Sequence, residues 1–542
     1  MTEGLIETAD YGTAGGGKSK RYLLVLAGVV VFSFLLRFYG SWLPFFDDEP
    51  EGVVLANTIS ITPGRINLPI HSTDHGPVMI YLIHSASPIA RGETFRYRLG
   101  HLLLGTFHIL LIYWLAREAT SRVGAIFAAL FLGLCEVHIL FTKYIIQELA
   151  NLFLATLWLF VFWQGLKRDS RKLVLLSGVV LGLGLLTKET IFFLVPTAFV
   201  FLLVSRSYRR WLRRKEIYLS LLLAFVILSP NFYWNWRHNW FDYKLASGYV
   251  APLSFAGFAA ELFLGWFTHL RGSDILYGYD YMGPAAGCLA TVGVLLAFGK
   301  VRQEFIKLIV VAFWIILGAS FFLAAGLPRH YAVAIVPASV LAGVFAGTLW
   351  DQGLARMQRL RAVRVFILLT FAAMAIFSVK ATADFNHYWV SQSSIPLSDW
   401  HQSGEIDLTT LSKAFIPLAQ KYEATLAVFP APALDATGAY FTAYSNIPSI
   451  GLHATLRWLE YEEEDLERIV FFLTPKDNLR RFRDWAQEND YPLPEVSRDE
   501  IIVQREMDNL DFRFPVRILV MTRKDPERHP TAQDLVQLVY GR

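Results

Sequence analysis

Residues 18–52 read KSKRYLLVLAGVVVFSFLLRFYGSWLPFFDDEPEG. A basic cluster comes first, then an apolar run from 22 to 38 broken only by Ser33 and Arg37, then the acids Asp47, Asp48, Glu49 and Glu51. The run is close to the ~20 residues that cross a bilayer. No small-residue cleavage site follows it and more apolar runs do, so it reads as a retained first span rather than a signal peptide. Lys18, Lys20 and Arg21 place its start in the cytoplasm, which sends the acids to the outer face. Ionisable groups at a membrane edge cost free energy unless they meet water or a cation, so they mark a functional site. Gly15-Gly16-Gly17 ahead of the basic cluster lacks the preceding strand and the glycine spacing of a phosphate loop.

The composition supports a membrane chain throughout: 54% of residues are hydrophobic and 18% charged, and the mean hydropathy is +0.39, values far from those of a soluble enzyme. A net charge of +4 over 542 residues gives no sign of nucleic-acid binding. Cys135 and Cys288 lie far apart in apolar stretches and read as packing residues, with no disulfide framework. Further spans fall near 99–116, 123–141, 148–165, 173–188, 190–205, 216–234, 284–299, 306–325, 330–349 and 362–380. The fold class is therefore mainly α, a polytopic membrane protein of about eleven transmembrane helices. The 173–205 pair, joined through Thr187-Lys188-Glu189-Thr190, reads as a tight hairpin or as one broken helix.

Charge alternation supplies an independent check. Every second connection is basic: Arg117 and Arg122; Lys167, Arg168, Arg171 and Lys172; Arg206, Arg209, Arg210, Arg213, Arg214 and Lys215; Lys300, Arg302 and Lys307; Arg356, Arg359, Arg361 and Arg364. Eleven spans with a cytoplasmic N-terminus predict this pattern. The reading divides the chain into a cytoplasmic tail (1–20), a transmembrane domain (21–380) with outer loops at 41–98 and 235–283, and a soluble extracytoplasmic α/β domain (381–542). In the first loop, 53–61 and 77–84 begin short helices, and 252–270 in the long loop suits a helix lying in the interface. In the last domain, 424–429, 468–473, 500–503 and 517–521 read as strands, 477–488 and 531–539 as helices, and 460–467 as an acidic helix face.

The unusual residues collect in the outer connections. Asp48-Glu49 suits a general base and its hydrogen-bond partner, against a plain solvated loop. His75-Gly76-Pro77 enters a short helix whose dipole favours anions. Glu148 opens the fourth span, where a carboxylate also complements the helix dipole. Arg329-His330-Tyr331, Arg271 and Lys188 are cations or donors on the side where the charge bias disfavours them. An anionic lipid headgroup would explain them, as would snorkelling.

This arrangement resembles the GT-C type of membrane glycosyltransferases, the protein O-mannosyltransferase and aminoarabinose-transferase superfamily, over about residues 20–350. The elements that carry the resemblance are Asp48-Glu49, His75-Gly76-Pro77, Glu148, Gly184-Leu185-Leu186-Thr187-Lys188-Glu189, and Arg329-His330-Tyr331 with Pro337. It implies a polyprenyl-phosphate-sugar donor and transfer to a lipid, glycan or protein acceptor on the outer face of the cytoplasmic membrane. It makes Asp48, Glu49 and Glu148 the catalytic carboxylates, and Arg329, His330, Tyr331, Lys188, Arg271 and His75 the group at the donor phosphate. Two positions depart from the family pattern: Glu148 stands where Asp is usual, and the extra Asp47 leaves Asp47 or Asp48 as the base. A divalent metal is compatible with this reading but not indicated by it. A transporter or flippase of an anionic lipid-linked substrate is the alternative, but it predicts internal repeats and mid-span charges that this sequence lacks.

Overall fold

In the computed structural model the described residues are 16–45, 49–62, 65–67, 77–91, 94–237, 240, 293, 303–323, 332–356, 361–392, 394–396, 405–430, 432–445, 447–450, 467–474, 477–489, 491, 497–507, 510–524 and 538. In chain order the helices are α1 (Gly16–Phe38), α2 (Glu49–Thr58), α3 (Val78–Ala86), α4 (Phe95–Arg117), α5 (Arg122–Leu134), α6 (Glu136–Lys143), α7 (Gln147–Lys167) and α8 (Arg171–Leu185). They continue through a 3-10 turn (Glu189–Phe193) into α9 (Leu194–Val204), then α10 (Lys215–Arg237), α11 (Glu304–Leu323), α12 (Ile335–Arg356), α13 (Arg361–Gln392), α14 (Leu408–Lys421), α15 (Pro432–Ser445) and α16 (Leu479–Glu488). The chain divides into two compact units, Met1–Gly40 with His101–Asp384, and Ser41–Gly100 with Phe385–Arg542.

The first unit is an integral membrane bundle. Among the described residues six helices are long and apolar enough to cross a membrane, seven if the bent pair of α5 and α6 is one span. The expected number of eleven is not reached by that measure. The run 173–188 yields the 15 residues of α8, the run 190–205 starts as a 3-10 turn, and 284–299 lies outside the described residues except for residue 293. The spans differ in their surroundings: α7 is largely enclosed by other helices, whereas α1 and α10 leave most of their apolar surface open, as lipid-facing helices do. At the crossing of α8 and α10, Gly178 permits a close approach; a Cβ there would fall 2.1 Å from the Ser220 carbonyl oxygen.

Residues 123–141 read as one straight span, but the helix breaks at the extended Cys135 and its halves meet at 58°. In lipid the carbonyls freed by such a break must find donors inside the protein. Arg37 donates to Gly133 O (2.9 Å) and Leu132 O (3.4 Å), and Ser378 Oγ donates to Leu134 O (2.6 Å). The single charge within the first apolar run therefore serves the backbone of another helix.

Arg37 also begins a buried polar chain. Its Nη2 lies 2.7 Å from His138 Nδ1, His138 Nε2 lies 2.9 Å from His108 Nδ1, and His108 Nε2 lies 2.7 Å from Thr156 Oγ1, which donates to Leu152 O. A guanidinium only donates, so His138 Nδ1 accepts and its Nε2–H points onward. The same reasoning makes His108 accept at Nδ1 and donate at Nε2. The direction of every link is thus set by its two ends.

Among the described residues, three basic connections of the first unit, at 117–122, 167–172 and 206–215, are tied to one another by ion pairs and hydrogen bonds. Glu118, just beyond α4, accepts from Trp163 Nε1 (2.9 Å), Gln164 Nε2 (2.8 Å) and Lys167 Nζ (2.7 Å). Arg214 clamps Asp169 at 2.7 and 3.1 Å, and Arg171 reaches Glu216 at 3.2 Å. Burial opposes the ionised form of Glu118, but these three hydrogen bonds and the Lys167 charge hold its pKa below the ordinary value.

The second unit joins α2 and α3 of the first loop to the C-terminal region. Its five-stranded sheet has the order β6-β5-β7-β9-β8, with β5 (Leu426–Val428), β6 (Ser449–Ile450), β7 (Arg468–Leu473), β8 (Ser497–Met507) and β9 (Leu510–Thr522). Strands β6, β5 and β7 are parallel, and β9 runs antiparallel to β7 and β8. Strands β1–β2 (Ser60–Thr62, Arg65–Asn67) and β3–β4 (Ser394–Pro396, Glu405–Asp407) form two small antiparallel pairs. Helix α16 buries Phe482, Trp485 and Ala486 in a cluster with Leu426, Ile469, Phe471 and Leu519. The segments read as strands at 424–429, 468–473, 500–503 and 517–521 fall in β5, β7, β8 and β9; α14 and α15 were not anticipated. The segments 252–270, 451–466 and 531–539 lie outside the described residues, save Leu538.

Candidate functional site

The first loop is organised around Glu49. Helix α2 starts with this residue, and Pro50 follows in the first turn, where its missing N–H is not needed. The carboxylate is fully buried and faces an equally buried Arg98 at the start of α4. Arg98 Nε donates to Glu49 Oε1 at 2.9 Å and Nη2 to Glu49 Oε2 at 2.5 Å. Arg98 Nη1 donates to Ser41 O (3.1 Å) and Leu43 O (2.5 Å), and Nη2 to Pro44 O (2.7 Å). All five guanidinium donors are therefore engaged. The guanidinium also stacks 4.6 Å from the Trp389 ring centroid, a cation–π contact strengthened by desolvation.

A second acid–cation pair lies in the first unit. Helix α7 begins at Gln147 after the extended Ile146, so Glu148 stands in its first turn. Lys188 is the extended residue that precedes the 3-10 turn, and its Nζ donates to Glu148 Oε1 at 2.5 Å. The two side chains are 3% and 1% exposed. An ammonium has three donors, and among the described residues the one bond given to Lys188 Nζ is that to Glu148. One turn along α7, Asn151 Nδ2 donates to Thr190 Oγ1 at 2.8 Å, which ties α7 to the same 3-10 turn. His101 Nε2 lies 3.2 Å from Ile146 O and donates to it, fixing the residue that caps α7. His101 Nδ1 and Asn151 Oδ1 remain buried acceptors with no partner among the described residues.

The structure thus brings Glu148 and Lys188 together and gives Glu49 a partner that sequence reasoning missed. Arg98 carried a signal, being a cation at the end of a span where the charge bias disfavours one, but nothing in the sequence links it to Glu49. Asp48, His75, Arg271, Arg329, His330 and Tyr331 lie outside the described residues. Among the described residues no group of three His, Cys, Asp or Glu side chains could hold a metal ion.

The fold is that of the GT-C class of membrane glycosyltransferases. ArnT from Cupriavidus metallidurans bound to undecaprenyl phosphate matches with a TM-score of 0.56 at 15% identity, over 95% of this chain and 100% of that one. The archaeal oligosaccharyltransferase AglB from Archaeoglobus fulgidus, in complex with an inhibitory peptide and a dolichol-phosphate, matches with a TM-score of 0.51 at 14% identity, over 84% and 70%. At these identities the likeness is one of fold. More narrowly, residues 74–234 match the dolichyl-phosphate-mannose-protein mannosyltransferase family model. An uncharacterized protein of Aquifex aeolicus (strain VF5) is 27% identical over 216 residues, 38% of this chain, and the match spans only 42% of that relative's length. The expected resemblance to GT-C glycosyltransferases is borne out in the fold and in the segment 74–234.

Proposed function

We propose that this protein transfers a sugar from a polyprenyl-phosphate carrier to a lipid, glycan or protein acceptor, on the extracytoplasmic side of the cytoplasmic membrane. The observation that carries the reading is the pairing of Glu148 with Lys188 across 40 residues of sequence. Both lie inside the stretch matched by the mannosyltransferase model, and both belong to connections opposite in the alternation to the basic ones. The gathering of basic connections around Glu118 and Asp169 supports a cytoplasmic assignment for them.

Asp48 serves as the general base. An acceptor hydroxyl has a pKa far above neutrality, so its attack on the anomeric carbon needs a carboxylate that takes the proton as the bond forms, a contribution of about 10²–10⁴ in rate. Glu49, fixed by Arg98, orients the loop that presents this acid. Departure of the polyprenyl phosphate builds charge on a phosphate oxygen, which preorganised donors stabilise. Lys188 supplies two such donors beyond its bond to Glu148, and Arg329, His330, Tyr331, Arg271 and His75 complete the group. Glu148 holds the Lys188 ammonium in place. With a monophosphate as leaving group, these cations suffice without a metal, and a single displacement inverts the anomeric centre.

The test is to incubate purified protein with a panel of polyprenyl-phosphate sugars and acceptors. Release of free polyprenyl phosphate, together with a product of inverted anomeric configuration, is expected. Carrier movement without phosphate release would favour a transporter, and a retained configuration would refute direct displacement.

A further inference from the structure

The backbone on both sides of Asp47-Asp48 is held by side chains remote in sequence. Before the acids, Arg98 takes the carbonyls of Ser41, Leu43 and Pro44. Trp389 Nε1 also donates to Pro44 O at 2.9 Å, and the Tyr440 hydroxyl donates to Phe45 O. The Phe45 ring is fully buried and packs against Tyr97, Tyr440 and Tyr444 at centroid distances of 5.9, 6.1 and 5.8 Å. After the acids, Glu49 is locked to Arg98.

A connection between a span and a short helix is ordinarily satisfied by water. Here four of the five carbonyls from Ser41 to Phe45 are taken by protein side chains, and two of the donors, Trp389 in α13 and Tyr440 in α15, come from beyond residue 384. We infer that Trp389 and Tyr440 are positioning residues for the first-loop acids, so that the C-terminal region takes part in sugar transfer. The inference rests on the reading of a first-loop Asp as general base. Proton abstraction in the transition state depends on placement; a displacement of ~1 Å can cost about a hundredfold in rate. Loss of one positioning hydrogen bond, worth ~1 kcal/mol, corresponds to about fivefold.

The decisive variant is Tyr440→Phe, which keeps the ring packed on Phe45 and removes only the hydroxyl; Trp389→Phe probes the second donor. Tyr422→Phe is the control, since that hydroxyl donates to Glu500 at 3.1 Å in the same unit. Full-length variants are compared by hydrogen exchange over residues 41–52 and by transfer kinetics with a polyprenyl-phosphate sugar. The expected result for Tyr440→Phe is faster exchange in 41–52, kcat lowered about fivefold, an unchanged donor KM and a thermal midpoint within a few degrees of wild type, with Tyr422→Phe unaffected throughout. Unchanged exchange overturns the inference, and so does faster exchange with unchanged kcat in an enzyme that is active as wild type. A wild-type protein inert with every donor overturns the functional reading itself, and the positioning role falls with it.

Discussion

Glu49 and Glu148 are both buried carboxylates in the first turn of a helix, and each meets a cation, yet the two pairs are built differently. Arg98 spends its rigid fork on Glu49 and its remaining donors on three backbone carbonyls, so every N–H is committed. Lys188 offers a compact charge on a flexible stem and gives Glu148 one bond. Arginine suits a planar, bidentate and permanent contact, whereas lysine can turn its free donors to another anion. The saturated pair is a mount, and under the function proposed above Lys188 turns its remaining donors to the donor phosphate. Neither pair can be credited with much net stability, because desolvation offsets most of the attraction. What each does secure is the position of its neighbours.

This contrast can be broken by experiment. The largest effect is expected at the proposed general base: Asp48→Asn should lower turnover by about 10²–10⁴ while expression and donor binding stay near wild type. Full activity in that variant would pass the role to Asp47 or remove it. Arg98→Lys should next cost ~1–3 kcal/mol of stability, because an ammonium supplies at most three of the five donors and leaves buried acceptors on Glu49 or the loop carbonyls unsatisfied; the readout is the thermal midpoint in detergent. Lys188→Arg should do the reverse, with the midpoint shifting by only a few degrees and donor kcat/KM falling about tenfold, or ~1.4 kcal/mol. If Arg98→Lys and Lys188→Arg give the same balance of stability and activity, the distinction between mount and site is wrong.

The smallest effect is expected among the basic connections. Glu118 has a folded-state pKa below its ordinary 4.5, so it binds a proton less readily folded than unfolded. Its stabilising contribution is complete above that ordinary value and disappears as the pH falls through the lower folded value. Glu118→Gln should therefore flatten the acid side of the stability profile by under ~1 kcal/mol while leaving transfer at neutral pH unchanged. A change in donor use there would show that these connections and the proposed site are not separate in function.

Much of this organisation was legible in the sequence, and the gaps have physical causes. Alternating charge is a local signal set by loop composition, and it anticipated the grouping of Arg117, Lys167, Arg171 and Arg214 near Glu118 and Asp169. Lys188 stood out because it broke that alternation, and Glu148 because it opened a span. Their pairing was not legible, since nothing local records which outer cation meets which acid. The bend at Cys135 escaped for a related reason: residues 123–141 are apolar apart from Glu136 and His138 and carry no proline to mark a break, and the donors that tolerate it, Arg37 and Ser378, lie 95 or more residues away. Arg98 was read only as the end of a loop. In the C-terminal region the β-rich runs were recognisable by pattern, while α14 and α15 have mixed compositions that packing rather than periodicity decides.

The buried chain from Arg37 through His138 and His108 to Thr156 bears on what the bundle can conduct. Each member receives one hydrogen bond and gives the next, and both ends are pinned, one by a group that can only donate and the other by the Leu152 carbonyl, which can only accept. A proton moving along such a row would leave every link pointing the wrong way, and resetting it would require both imidazoles to turn inside a close-packed interior. The row is therefore an insulator for protons rather than a wire. Within the first unit it ties α1, α6, α4 and α7 together through polar contacts without offering protons a path along them.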